Sequence, residues 1–413
     1  MAHTDTAIKQ SSFVGRQAIF DRQMEIFAYE LLYRDGTGNS AMITDGEEAT
    51  ARVVINTFFE LGIDKIAGDA QVFVNLTENF FVGRYYEVLP SKNVVLEVLE
   101  SIEPTPAVLE ALIQARQNGY QIALDDFVLR ESHRGLMDYA DYVKVDVLAL
   151  TDEQLYEQVA MLNEYPVRLL AEKVEDQGMY DHCVALGFEY FQGYFFCKPQ
   201  IVEGVSLSSN RMAMVLLLAK LQDPFLDFHD LEDLVKNDVA LSVKLLRYVN
   251  SASVGLPRTV DSISQAIGLI GTERMRQWAS LMVLAQAGDK PSELMRVALI
   301  RAHMCESFCP LHGLSPNQGF TVGLFSILDA YLDCDMKQLV TDLPLASEVL
   351  DALLKREGVL GTFLEEILAY ERGEWDQRIM RTVEPHILQS VYCQSIEWAN
   401  GVMEAVMAHK THS

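Results

Sequence analysis

Two textures alternate from residue 13 to about residue 200. Short runs rich in Val, Ile, Phe and Tyr stand between longer stretches whose apolar residues recur every three or four positions. The first texture suits strands, the second amphipathic helices. The spacing predicts strands over 14–20, 25–34, 71–76, 94–99, 121–127, 142–147, 168–174 and 190–196. It predicts helices over 46–61, 106–118, 152–163 and 176–186. Only Asp21-Arg22-Gln23-Met24 separates the first two runs, which predicts a hairpin. Repeated strand–helix units predict an α/β fold with a mostly parallel sheet, and this many strands predict closure into a TIM-like (β/α)8 barrel.

Past Pro199 the strand texture fades and amphipathic helices dominate. They are predicted over 209–221, 228–237, 240–249, 262–271, 272–286, 293–308, 319–332, 347–356, 360–371 and 387–409. Asp261-Ser262 before Ile263, and Gly271-Thr272-Glu273, have the composition of helix starts. The chain is therefore expected to hold two domains, an α/β barrel over 12–203 and an all-α domain over 204–413.

The predicted strands end unusually. Glu30 lies in the second run, with Arg34 after it. Asn75 follows Val72-Phe73-Val74, and Glu97 follows Val94-Val95-Leu96. Asp125 and Asp126 follow Ile122-Ala123-Leu124. Lys144 follows Tyr142-Val143, with Asp146 two residues on. Glu172 follows Leu169-Leu170-Ala171, and Gln192 follows Tyr190-Phe191. One polar residue in a strand is usually a satisfied hydrogen-bonder. A succession of them at strand ends that share one mouth is the pattern of a barrel active site. Carboxylates and an amide, without His or Cys, suit hard cations such as Mg²⁺, Ca²⁺ or Mn²⁺. Adjacent Asp125 and Asp126 repel each other unless a cation relieves them. A lysine among carboxylates can position a water or neutralise developing charge, and Arg34 offers a fork for a phosphate. Together these residues point to metal-dependent phosphodiester chemistry or phosphodiester binding.

Composition narrows the partners. The 413 residues carry a formal charge of −26, which disfavours nucleic acid and anionic lipid and attracts divalent cations. The longest apolar run, Met212 to Ala219, is about half of the roughly 18 residues that span a bilayer, so no membrane segment is expected. The N-terminus lacks a signal-peptide core. The six cysteines form no CxxC pair, and Cys305 and Cys309, four apart, read as small core residues before they read as a metal half-site. A cytoplasmic protein is expected.

The motifs resemble the EAL domain, the (β/α)8 phosphodiesterases of the bacterial messenger cyclic di-GMP. Tyr29-Glu30-Leu31-Leu32-Tyr33-Arg34 is similar to the family's ExLxR signature, with Leu31 in place of its Ala. Gln17 resembles a guanine-contacting glutamine, although Ala18 replaces the proline after it. Val74-Asn75-Leu76-Thr77 resembles VNLS, and Leu96-Glu97-Val98-Leu99-Glu100 resembles LEhTE. Leu124-Asp125-Asp126-Phe127 resembles LDDFG, and Val143-Lys144-Val145-Asp146 resembles IKID. Ala171-Glu172-Lys173-Val174-Glu175 resembles AEGVE, and Phe191 to Pro199 resembles GQGYLFSKP. The resemblance implies a Mg²⁺ or Mn²⁺ site held by Glu30, Asn75, Glu97, Asp125 and Asp126. It implies Lys144, Glu172 and Gln192 as catalytic groups. It also implies Gln17, Arg34 and Pro199 as contacts to cyclic di-GMP, and Glu100 as support for the loop after the Asp pair.

That loop departs from the family. Val128-Leu129-Arg130-Glu131-Ser132-His133-Arg134-Gly135-Leu136 replaces Gly-Thr-Gly-Tyr-Ser-Ser-Leu, so both glycines are gone and Val128 and Leu129 open the loop. Neither tolerates the positive φ that glycine allows. Lys173 also stands where AEGVE has glycine. In the family the loop orders the metals and contributes to a homodimer contact. The expectation is that the ligands persist while hydrolysis is impaired.

In the second half, Leu245-Leu246-Arg247-Tyr248-Val249-Asn250-Ser251-Ala252, Gly255-Leu256-Pro257-Arg258 and Ile263 to Gly271 resemble the HDOD domain. This is a relative of the metal-dependent HD phosphohydrolases. Where hydrolytic members have His-Asp, this chain has Ser326-Ile327. His303 matches an upstream ligand position only loosely. A non-catalytic domain that contacts a protein partner is implied. Two readings of the whole remain: a signalling protein whose impaired barrel senses cyclic di-GMP or serves as an interaction module, or an active phosphodiesterase yielding linear pGpG.

Overall fold

The structure is a computed structural model that describes residues 12–35, 63–129, 133–198, 209–223, 225–250, 254, 259–284, 290–341, 343–374 and 382–407. The predicted helix 46–61 lies outside them. Contacts divide the chain into two compact units, Met1–Phe195 with Ala369–Ser390, and Phe196–Leu368 with Val391–Ser413.

The first unit is a closed barrel of eight strands in chain order. They are β1 (Ser12–Asp21), β2 (Ile26–Asp35), β3 (Gln71–Leu76), β4 (Val94–Val98), β5 (Gln121–Leu124), β6 (Tyr142–Asp146), β7 (Arg168–Glu172) and β8 (Tyr190–Gln192). β1 runs antiparallel to both neighbours, β2 and β8, and every other pairing is parallel. The antiparallel start follows from the hairpin. Asp21 accepts hydrogen bonds on its carboxylate from the amides of Gln23 (2.8 Å) and Glu25 (3.0 Å), and Met24 turns the chain at φ 61°. The inner strands are apolar on both faces because helices cover the outside, and β4 is buried along its whole length.

Helices Pro106–Gln117, Asp152–Leu162 and Gln177–Leu186 form where the periodicity predicts them. Thr105, Thr151 and Asp176 cap their N-termini, and Thr151 with Gln154 makes a reciprocal capping box. Two strands are shorter than predicted. β5 stops at Leu124 because Asp126 adopts φ 46°, which leaves the extended region. β8 stops at Gln192, and Phe195–Cys197 is a 3₁₀ turn.

The second unit is helical among its described residues. Ser262 caps the helix Ile263–Ile270 through the amide of Gln265, as its sequence predicts. Ser292–Phe308 buries eleven of its residues, and Pro316–Phe325 packs against it closely. A Cβ at Gly323 would lie 2.3 Å from the carbonyl oxygen of Arg301, so only glycine fits there. The predicted helix 319–332 is two helices, Pro316–Phe325 and Leu328–Leu332. The break falls at Ser326, whose hydroxyl donates to the carbonyl of Gly323 (2.8 Å).

Candidate functional site at the barrel mouth

The barrel floor explains where the polar residues go. Ile19, Ala28, Phe73, Val95, Ala123, Tyr142 and Leu170, one from each of β1 to β7, form a fully buried cluster, and the partly buried Phe27 and Tyr190 pack against it. Strand side chains alternate, so the residue two positions on points the same way. Two positions beyond that floor stand Glu30, Asn75, Glu97, Asp125, Lys144, Glu172 and Gln192 on, or directly after, β2 to β8. β1 runs the other way, so its member is Gln17, two positions before Ile19. The candidate residues are thus one inward layer directly above an apolar plug.

Lys144 is the hub of this layer and is fully buried. Its Nζ lies 3.1 Å from Glu30 Oε2, 2.8 Å from Glu97 Oε1, 2.7 Å from Asp125 Oδ1 and 2.9 Å from Glu172 Oε1. Glu30 also accepts from Asn75 Nδ2 (2.7 Å) and Gln192 Nε2 (2.7 Å). Gln192 Nε2 reaches Gln17 Oε1 at 3.0 Å. The structure brings Gln17, Glu30, Asn75, Glu97, Asp125, Lys144, Glu172 and Gln192 into one network.

Fully ionised, four carboxylates and one ammonium would bury a net charge of −3. Burial pushes the Glu97 and Asp125 carboxyls up, and repulsion from Glu30 adds to it. Burial also lifts Glu172, to about 8, against the attraction of Lys144. Burial would lift Glu30 too. The Lys144 charge and the hydrogen bonds from Gln192, Lys144 and Asn75 outweigh it and hold Glu30 below its ordinary value. Burial opposes the charge on Lys144, but its four carboxylates keep it well above the usual lysine range.

The donor set fits a hard divalent cation by its chemistry. An ammonium has three N–H donors and cannot serve four carboxylates at once. Glu97 Oε2, Glu172 Oε2, Gln192 Oε1 and Asp126 Oδ1 are buried and accept no hydrogen bond. Such atoms are costly unless a cation or water meets them. In this conformation the carboxylates close on the ammonium. Among the described residues, no three His, Cys, Asp or Glu side chains stand ready around an ion.

Above this layer is the rim. Asp126 leaves the inward row, and its side chain is about two-fifths exposed. Lys173, the residue after Glu172, has φ 58° and hydrogen-bonds Asp146 Oδ2. The sequence marked Lys173 only as a departure. Its signal was positional, since it follows Glu172 as Asp126 follows Asp125. Glu100 is exposed and lines a cavity of about 150 Å³ with Asp126, Val128 and His133. Arg34 lies on β2, but its side chain is outside the described residues, as is Pro199.

With this geometry in view, known proteins place the chain. The EAL domain pattern matches residues 52–199, and the HDOD domain pattern matches 208–327. The cyclic di-GMP phosphodiesterase CdgJ of Vibrio cholerae is 34% identical over 385 residues, covering 92% of this chain and 88% of that protein. This chain belongs to the EAL–HDOD family. The uncharacterized protein YuxH of Bacillus subtilis is 32% identical over 408 residues, covering 95% of this chain and 99% of YuxH. Among solved structures, the EAL-containing YkuI protein of Bacillus subtilis, in complex with cyclic di-GMP and calcium, is 23% identical. That match covers 45% of this chain and 54% of YkuI, with a TM-score of 0.38.

The HDOD half uses its polar residues differently. At the place of the His-Asp pair, Ile327 is fully buried, and Ser326 also accepts from Arg301 Nη1 at 3.3 Å. His303 Nδ1 meets Ser395 Oγ at 2.8 Å, and its ring stacks on Trp398. Burial, helped by Arg274, lowers its pKa. These are packing roles. No helix among the described residues is long and apolar enough to cross a membrane.

Proposed function

We propose that this EAL–HDOD chain is a cytoplasmic signalling protein whose barrel binds cyclic di-GMP with a divalent cation and hydrolyses it poorly. The helical half then contacts a protein partner. The observation that carries the reading is the layer around Lys144, in which four carboxylates converge on one buried ammonium while buried oxygens remain unsatisfied. That layer suits a cation together with a phosphodiester. Glu30, Asn75, Glu97 and Asp125 would hold the cation, with Asp126 at the rim. A divalent cation there would supply Lewis acidity and acidify water.

The chain's own residues supply the rest. Lys144 brings positive charge toward a phosphate. Glu172, lifted to about 8, can hold or release a proton near neutral pH. Gln192 orients Glu30 and joins it to Gln17. Two features support poor turnover: the loop that opens with Val128 and Leu129 and lacks both of the family's glycines, and Lys173 against Asp146. No disulfide joins any of the six cysteines, which suits a reducing compartment.

A second reading, an active Mg²⁺- or Mn²⁺-dependent phosphodiesterase, is favoured by the nearly complete donor set and by the name of the Vibrio relative. Calorimetry with cyclic di-GMP in Mg²⁺ or Mn²⁺, paired with chromatography of the products, separates the two. Under the first reading the dinucleotide binds, Glu30→Ala abolishes binding, and turnover falls far below the roughly 1 s⁻¹ at which ordinary enzymes begin. Turnover in the ordinary range, lost in Glu30→Ala, selects the second. No binding and no turnover would defeat both.

A further inference from the structure

At the rim the chain makes the same unusual move twice. The residue after Asp125 and the residue after Glu172 both enter the left-handed region, Asp126 at φ 46° and Lys173 at φ 58°. Side chains larger than glycine rarely adopt it, and functional sites are where such conformations collect. β6 lies between β5 and β7, and its Asp146 stands two residues beyond Lys144. The three rim side chains therefore meet.

The Lys173 ammonium hydrogen-bonds Asp146 Oδ2 and lies 3.6 Å from Asp126 Oδ2. The other Asp146 oxygen accepts from the amides of Leu148 (2.9 Å) and Ala149 (3.1 Å), so this carboxylate is held in place. Asp126 Oδ1 is buried and accepts no hydrogen bond, and Glu172 Oε2 beside them is in the same state. A lysine is ionised at neutral pH, and its hydrogen bond to Asp146 holds this ammonium between the two rim carboxylates.

We propose that Lys173 is a built-in cation of the barrel mouth. Its ammonium occupies the space between Asp126 and Asp146 that a divalent ion would otherwise take, so the mouth binds one divalent ion fewer than its carboxylates could hold. The inference rests on the divalent-cation site proposed above. Its consequence is chemical. A tethered single charge offsets one of the two rim carboxylate charges at any metal concentration, but it offers no open coordination position to water or phosphate. Binding of a phosphodiester is kept, and activation of water at the rim is not.

The test is the number of Mn²⁺ ions bound per full-length chain, read by electron paramagnetic resonance at one fixed free Mn²⁺ concentration. Lys173→Gln removes the charge and keeps the left-handed residue. Lys173→Gly removes both, and relief of the backbone keeps it folded. Each variant should bind one ion more than the wild type, and adding Asp126→Asn to Lys173→Gly should abolish the gain. Equal counts in the wild type and both variants overturn the proposal. So does a gain in Lys173→Gly alone, which would trace the effect to the backbone. The difference in count judges Lys173, whereas cyclic di-GMP binding by the wild type judges the proposed function, so the two can fail separately.

Discussion

Lys144 exposes no surface, and it is the one cation shared by the buried Glu30, Glu97 and Glu172 and the partly exposed Asp125. A buried charge that loses its partner is among the most costly changes a core can suffer. Lys144→Met should therefore lower metal-free stability by about 3–5 kcal/mol at pH 8. The loss should shrink at pH 6, where the carboxylates can take up protons; urea unfolding at the two pH values checks this. Glu172 sets a second pH dependence. Its carboxyl titrates near 8 in the fold against an ordinary 4.5, so between those values the folded chain holds a proton that the unfolded chain has released. Stability contributed by this group falls as pH rises through that window. The metal-free melting temperature should drop between pH 6 and 8.5, and Mg²⁺ should restore it by replacing the proton. A melting temperature that rises over that range without metal would contradict the assignment.

At the scale of elements, alternation along strands did most of the work. One period-2 register places Phe73, Val95 and Leu170 in the floor and Asn75, Glu97 and Glu172 above them. That register is visible in the sequence, which is why the layer could be named residue by residue. The strand ends were less legible. A left-handed residue at Asp126 or Lys173 is decided by what the neighbouring chain leaves room for, and alternation carries no sign of it. β8 shows the same limit. Gly193 has φ 152°, and a Cβ there would lie 2.0 Å from the carbonyl oxygen of Val174. Gly193→Ala should cost about 1–3 kcal/mol and, by displacing Gln192 next to it, weaken cyclic di-GMP binding. Denaturant midpoints and calorimetry would report both effects, and an unchanged affinity would separate Gln192 from the site.

Across the whole molecule, charge and thiols agree with each other. A chain of −26 gathers divalent cations at its surface and repels polyanions, so a phosphodiester bound at the proposed site would have to be met by local positive charge. The cysteines divide by burial: Cys183, Cys305 and Cys309 are buried, while Cys197, Cys334 and Cys393 are partly accessible. Burial pushes the Cys183 thiol up to about 12 and Cys309 to about 11. A thiol reagent should find six thiols after denaturation without reductant, and should react in the native protein only at the accessible three. Fewer than six after denaturation would reveal a disulfide.

The sequence by itself determined the two textures, the order of barrel and helical domain, and the inward row of acids around one lysine. All of these are local periodicities or residue types, which a chain carries whether or not it is folded. Only the tertiary structure decided that four carboxylates close on one ammonium, that Glu172 keeps its proton to about 8, and that Lys173 reaches across the rim to Asp146. It also assigned Ala369–Ser390 to the same unit as the barrel. Each of these depends on distances and burial between residues far apart in the chain, and closing the barrel is what brings them together.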